Sequence, residues 1–156
     1  MIDPPALPPA LVHVADLDVQ VGPIEDLGVT PEGRRRLVPI LGGQVRGRLS
    51  GRIAAGGADY QLIRGDGVLE LEARYVIETD DGARIYVVNT GIRHAAPEIA
   101  ARLNAGEVVD PALVYFRATP RFMSADPGFA WLAQRIFVAV GARHPDRVAL
   151  SVFEVG

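Results

Sequence analysis

The chain has no cysteine. Disulfides, thiolate nucleophiles and zinc–thiolate clusters are therefore excluded. Lysine is missing as well: all 16 basic residues are arginine, which removes Schiff-base chemistry and a lysine general base. Proton transfer is left to Asp, Glu, Tyr or the three histidines. His13, His94 and His144 show no HxH or HExxH spacing, so no metal site is expected. Ser50, Ser124 and Ser151 are the only serines, and none stands in a GxSxG turn. No GxxxxGK[ST] loop is present, and no cofactor is expected. Apolar runs all fall short of the ~20 residues of a spanning helix, and the N-terminus lacks the basic and long apolar regions of a secretory signal. With a net charge of −3, the chain offers no general field for nucleic acid or an anionic membrane. The expectation is a cytoplasmic protein with neither partner.

What is present reads as one globular domain over residues 1–156, with a Pro-rich lead at 1–10. The chain is 49% hydrophobic and 22% charged, unlike a disordered segment. Gly56–Arg93 organises it. Asp66-Gly67 and Asp81-Gly82 each separate runs that alternate apolar and polar residues, and Asp-Gly is a strong hairpin signal because glycine accepts positive φ without steric cost. These turns predict a meander of Asp59–Arg64, Val68–Thr79 and Ala83–Arg93, with no helix anywhere in Gly57–Arg93. Before it, Leu11–Val21 reads as a strand, Ile24–Arg36 as a loop whose Arg34-Arg35-Arg36 run is either solvated, the first reading, or a holder of a phosphate or carboxylate, and Leu37–Leu41 and Arg46–Ala55 as strands around Gly42-Gly43. After it, Pro97–Gly106 reads as a helix with Pro at its start and Gly at its end. Ala112–Phe122 follows as a strand, then Asp126–Gln134 as a turn or short helix holding the only tryptophan, Trp131. Arg135–Arg143 and Arg147–Val155 close the chain as strands. About eight or nine strands at short spacing predict an all-β fold. The expected architecture is an up-and-down antiparallel β-barrel with one or two short helices, because closure removes edges.

Candidate chemistry follows from strand periodicity. Leu69, Leu71, Ala73, Tyr75 and Ile77 share one face of the long strand, and Glu70, Glu72, Arg74 and Glu78 the other. Tyr115, Arg117 and Thr119 alternate with Val114, Phe116 and Ala118. Either face of that strand suits a barrel interior. Asn89 interrupts an apolar run and is a candidate pocket residue. Asp59, just after two glycines, is either a turn cap or a general base at a barrel mouth. If Tyr115 and Arg117 face inward, a buried guanidinium needs a carboxylate partner or an anionic ligand. The expected pocket then gathers Arg117, Tyr115, Arg74 and one of Asp59 or Glu72, with Trp131 at its wall. Ile136, Val138 and Val140 are apolar on the face opposite Phe137 and Ala139, which predicts a homo-oligomer, a dimer in the simplest case.

Several segments carry a resemblance to a known family: GGADY (Gly56–Tyr60), RGDG (Arg64–Gly67), LEARYVIETDDGARIYVVNTGIR (Leu71–Arg93), YFRATPRF (Tyr115–Phe122) and WLAQRIFVAVGAR (Trp131–Arg143). Together they resemble the domain-of-unknown-function 3237 family, also called uncharacterised protein family 0311, from about Val14 to Val155. The resemblance implies a compact antiparallel β-barrel and no established general activity. It places the family's recurring polar and aromatic positions on Asp59, Asp66, Arg74, Asn89, Tyr115, Arg117 and Trp131. Tyr60, Ala118, Met123 and Ala133 depart from the family's usual Trp, Thr, Glu and Asn. Three of these four exchange a polar group for an apolar one, which implies a greasier pocket here.

The functional expectation is a small-molecule-binding barrel, an acid–base enzyme of lyase, cyclase or isomerase type acting on an apolar carbonyl compound. Asp59 and Tyr115 are the expected catalytic residues, and Glu72, Arg74, Asn89, Arg117 and Trp131 the expected substrate-binding ones. The alternatives are a non-catalytic carrier with the same pocket and a structural oligomer.

Overall fold

Turn glycines and a period-two apolar pattern shape the architecture of the computed structural model, which describes residues 1–5 and 7–156. Its strands are β1 (Leu11–Val21), β2 (Glu25–Thr30), β3 (Gly33–Gly47), β4 (Gly51–Ile53), β5 (Gly57–Ile63), β6 (Leu69–Thr79), β7 (Arg84–Ala95), β8 (Val114–Ser124), β9 (Phe137–Arg143) and β10 (Arg147–Val155). Every pairing is antiparallel, and the ring runs β1-β3-β5-β6-β7-β8-β9-β10 and back to β1. This is a closed eight-stranded barrel of up-and-down type. Short β4 continues the stave begun by β5, bridging β3 and β6 toward the other end. β2 stands off the ring and, among the described residues, pairs only with β3.

Both Asp-Gly turns form, with Gly67 at φ 86° and Gly82 at φ 89°. They join β5 to β6 and β6 to β7, with no helix in Gly57–Arg93. Helix α1 (Pro97–Asn104) starts on its proline and buries only Leu103. Pro127–Gln134 is a 3₁₀ stretch whose first turn is capped by the Asp126 carboxylate accepting from Gly128 N–H at 2.8 Å.

Two expectations are corrected. Ile24–Arg36 is not a loop but a hairpin, with Glu25 opposite Leu37 and Thr30 opposite Gly33. Its polar sequence hides the strands, because their ladder bonds come from backbone groups and β5 templates the other edge of β3. Likewise Leu37–Leu41 and Arg46–Ala55 do not flank a break at Gly42-Gly43. One strand crosses it, and Gly43 (φ 141°) lies where a Cβ would collide with the Asp18 carbonyl oxygen of β1. Glycine here allows close approach as β3 passes from β5 to β1.

The barrel is filled unevenly. Along β6 the inward residues run Leu69, Leu71, Ala73, Tyr75, Ile77 and Thr79, all buried. Around and beyond Ile77 lie Ile85, Phe122, Phe137, Val45 and Leu49, nearly inaccessible. Phe122 and Phe137 meet edge to face at 5.2 Å. Leu132 of the 3₁₀ stretch is buried against this end, so one end is a solid apolar plug. Toward the Leu69 end, inward positions turn polar.

Candidate functional site

Inward phase on five strands brings the polar residues together. β3 contributes Arg36, in phase with buried Val38 and Ile40. β5 contributes Asp59 and Gln61, β6 Tyr75, β7 Asn89 and Arg93, and β9 Arg143. Register fixes their depth. Asp59 pairs with Ala73, which pairs with Asn89, so a methyl group is all that separates them on the inner wall. Gln61 pairs with Leu71 one step nearer the mouth, and Leu69 pairs with Arg93 one step further. Between these side chains lies a cavity of ≈ 40 Å³, walled otherwise by apolar groups such as Val38, Leu71, Phe116 and Leu150. At ~10–15 Å³ per water, it holds a few waters or one functional group of a larger ligand.

A relay orders the carboxylate. Arg36 donates through Nε and Nη2 to Gln61 Oε1 at 3.2 and 2.8 Å. Gln61 Nε2 in turn donates to Asp59 Oδ2 at 2.8 Å. Asp59 retains some accessible surface, yet its Oδ1 is sealed from solvent and unpartnered. Tyr75 OH and Asn89 Oδ1 are likewise buried without a partner. Three residues that line one small cavity and each carry an orphaned polar atom are unusual, since buried polar groups are nearly always paired. Burial holds the Asp59 carboxyl above the usual range, although Gln61, the Glu72 backbone, Arg93 and Arg143 pull it down. Burial, helped by the nearby Asp59 charge, also pushes the Tyr75 phenol well up, so it stays a neutral donor. Arg93 is lowered to about 10, first by burial and then by repulsion from Arg36 and Arg143.

The expected site residues divide. Asp59 and Asn89 line this interior. Glu72, Arg74, Tyr115 and Arg117 lie on the outer face, so the pocket expected to join them to Trp131 does not form. The reason is phase. β8 turns Phe116, Ala118 and Phe122 inward, which leaves Tyr115 and Arg117 pointing out. Arg117 donates to the Phe116 carbonyl at 2.9 Å and lies over the Tyr115 ring, which stacks on His94. Arg74 donates to Tyr86 OH at 3.2 Å and pairs with Glu72. Glu72, Tyr115 and Arg117 do border a shallow outer concavity of ≈ 1020 Å³. Trp131 packs at the plugged end, with Arg48 over its ring at 4.4 Å. Arg36 is also corrected: Arg34 and Arg35 pair outside with Asp26 and Glu32, but Arg36 turns in.

Sequence reasoning passes over Gln61, Arg93 and Arg143 as site residues, sets Arg36 in a basic run read first as solvated, and treats Tyr75 as plain core. A signal was available in each strand, because Arg36 alternates in phase with Val38 and Ile40, and Arg93 with Asn89 and Val87. Among the described residues, no group of three or more His, Asp or Glu is placed to hold a metal ion, and no helix is long and apolar enough to cross a membrane.

Comparison with known proteins gives the same frame. Residues 9–155 match the family described as "Protein of unknown function (DUF3237)". The chain belongs to this family. A UPF0311 protein of Rhodopseudomonas palustris (strain TIE-1) is 45% identical over 144 residues, covering 92% of this chain and 94% of that protein. The crystal structure of a conserved protein of unknown function from Rhodopseudomonas palustris superposes with a TM-score of 0.94 at 43% identity, covering 97% of this chain and all (100%) of that one. An enzyme from Penicillium herquei has a similar fold at TM-score 0.73 and 18% identity, covering 99% of this chain and 100% of that one, a likeness of fold alone.

Proposed function

We propose that this DUF3237 barrel is an acid–base enzyme of isomerase, lyase or cyclase type, with Asp59 as its base and a carbonyl compound as its substrate. What carries this reading is the buried, unpartnered Oδ1 of Asp59, a residue of the cavity wall that Tyr75 and Asn89 also line, each with a buried, unpartnered oxygen of its own. A carboxyl held above its usual range is a stronger base once ionised. In the reaction, Asp59 Oδ1 takes a proton from the carbon beside the carbonyl. The C–H electron pair forms the new C=C bond as the carbonyl pair moves onto oxygen to give an enolate, whose oxygen accepts from the Tyr75 hydroxyl. Return of the proton to another carbon completes an isomerisation, and loss of a neighbouring substituent completes an elimination. The relay from Arg36 through Gln61 fixes the carboxylate without neutralising its free oxygen.

The test is exchange of carbon-bound hydrogen in D₂O across a panel of small ketones and oxo acids, followed by NMR. Asp59→Asn should lower the rate at least ~100-fold while the protein stays folded. Unchanged exchange in Asp59→Asn, or an Asp59 carboxyl that titrates in the ordinary aspartate range, refutes the assignment.

We also propose that the outer concavity pairs with a second copy of the chain. Exposed Tyr60, Ile92, Tyr115 and Val140 give it apolar character. Arg35 and Arg117 share it with Glu70 and Glu72, the self-complementary charge that a two-fold interface requires.

A further inference from the structure

The mouth of the cavity carries positive charge that the protein does not neutralise. Arg34, Arg35, Arg64, Arg74 and Arg147 each lie within 4.0 Å of a carboxylate oxygen. Among the described residues Arg36, Arg93 and Arg143 have no such partner although they are buried or half-buried, whereas the other arginines that lack one, Arg46, Arg48, Arg84, Arg117 and Arg121, are exposed. Arg93 gives one hydrogen bond, Nη2 to Asn104 Oδ1 at 3.2 Å, and Arg143 one long one, Nη2 to the Pro145 carbonyl at 3.5 Å. Among the described residues their Nε and Nη1 groups have no acceptor. The acidic groups nearby do not compensate. Asp26 is held by Arg34, Asp59 is bonded to Gln61, and Asp146 faces Arg143 from outside hydrogen-bond distance. Three guanidiniums therefore share the influence of one buried carboxyl. An uncompensated buried charge is costly unless a counter-ion arrives.

Arg93 and Arg143 front the cavity itself, and Arg36 stands behind Gln61. Arg93 is four positions from Asn89 on the same face of β7, so the guanidinium lies toward the mouth and the amide deeper. The remaining walls are apolar. A guanidinium fork matches a carboxylate in plane, and apolar walls suit an organic acid better than a fully hydrated inorganic ion.

We propose that the substrate is an oxo acid, its carboxylate held by Arg93 and Arg143 at the mouth and its carbonyl reaching inward to Asp59, Tyr75 and Asn89. This rests on the acid–base reading of the same cavity and adds the substrate's charge and polarity.

The experiment titrates the ¹⁵N-labelled protein with pyruvate and acetoacetate, with methyl pyruvate as the neutral control and inorganic phosphate as the competing anion. Arginine Nε–H resonances report directly on the guanidiniums. Both oxo acids should shift the Arg93 and Arg143 signals. Arg143→Met, at a half-buried position that tolerates an apolar stem, should weaken binding at least tenfold. Asp59→Asn should bind the acids at least as tightly as the native protein, because a competing negative charge is gone. The proposal is overturned if methyl pyruvate binds as well as pyruvate, if phosphate binds in preference to both acids, or if neither acid moves those signals at tens of millimolar. Arginine-dependent binding with unaffected hydrogen exchange in Asp59→Asn refutes the base and leaves the anion site standing. Exchange that requires Asp59 but proceeds equally on neutral ketones does the reverse.

Discussion

Gln61→Leu isolates the energetics of the site from its chemistry. Leucine fills nearly the same volume, so the change is electrostatic rather than a cavity. Gln61 accepts from Arg36 and donates to Asp59, and both Arg36 and Gln61 are only 7% exposed. Without it, the buried guanidinium loses both bonds to its one acceptor among the described residues and the buried carboxyl loses one, and each charged group left without that partner costs ~1.5–3 kcal/mol. The expected loss is roughly 3–6 kcal/mol, or a fall in Tm of roughly 10–15 °C for a chain of this length. The loss also depends on pH. Burial already holds the folded Asp59 pKa above its unfolded value, and the Gln61 bond is a lowering influence. Removing that bond raises the folded pKa further. A raised pKa gives stability that is present below the unfolded aspartate range and is lost as pH climbs through the folded pKa. The gap between variant and native protein should thus narrow as pH falls toward ~4 and widen toward neutrality. Urea unfolding at several pH values measures it. A loss below ~1 kcal/mol at pH 7, or a gap that widens toward acid, would show that the relay does not bear on the carboxylate.

Phe122→Ala removes a ring that is 1% exposed and packed edge-on against Phe137 in the apolar plug. It should cost ~3–5 kcal/mol in urea unfolding, and a loss under ~1 kcal/mol would mean that the plug is not close-packed. Val140→Glu places a charge in the outer concavity at a position already 40% exposed. Multi-angle light scattering should report a dimer for the native chain and a monomer for the variant, both equally folded; a native monomer at micromolar concentration removes the proposed interface.

Local signals account for most of the fold that was legible in the sequence. Leu11–Val21 and Arg147–Val155 are strands over the expected residues, and both Asp-Gly pairs form the turns that glycine's positive φ makes cheap. Pro97 starts the helix as its fixed φ favours. The β2–β3 hairpin was not legible, because its side chains alternate weakly and its glycines look like breaks. The outward side of β8 was misjudged for a different reason. Period two separates Tyr115 and Arg117 from Phe116 and Ala118 but does not say which set faces in. The buried ring of Phe116 against Gly141 decides it, a contact between residues 25 apart in sequence that exists only once β8 and β9 pair.

The site itself shows what a one-dimensional reading lacks. Its polar residues come singly or in pairs from five strands, at Arg36, Asp59, Gln61, Tyr75, Asn89, Arg93 and Arg143. Within any one strand, each looks like an isolated exception in an apolar face, and isolated exceptions are common. They form a site because register brings them to neighbouring levels along the barrel axis. Asp59 lies opposite Ala73, Ala73 opposite Asn89, and Leu69 opposite Arg93. A shift of two residues in the β5–β6 pairing would keep every inward residue inward and still carry Asp59 away from Asn89. The Asp66-Gly67 turn and the Gly57 close approach to Tyr75 both fix that register. The glycines that look purely structural therefore hold the carboxylate at the level of the amide. Lengthening the Asp66-Gly67 turn should disperse the site while leaving the barrel closed.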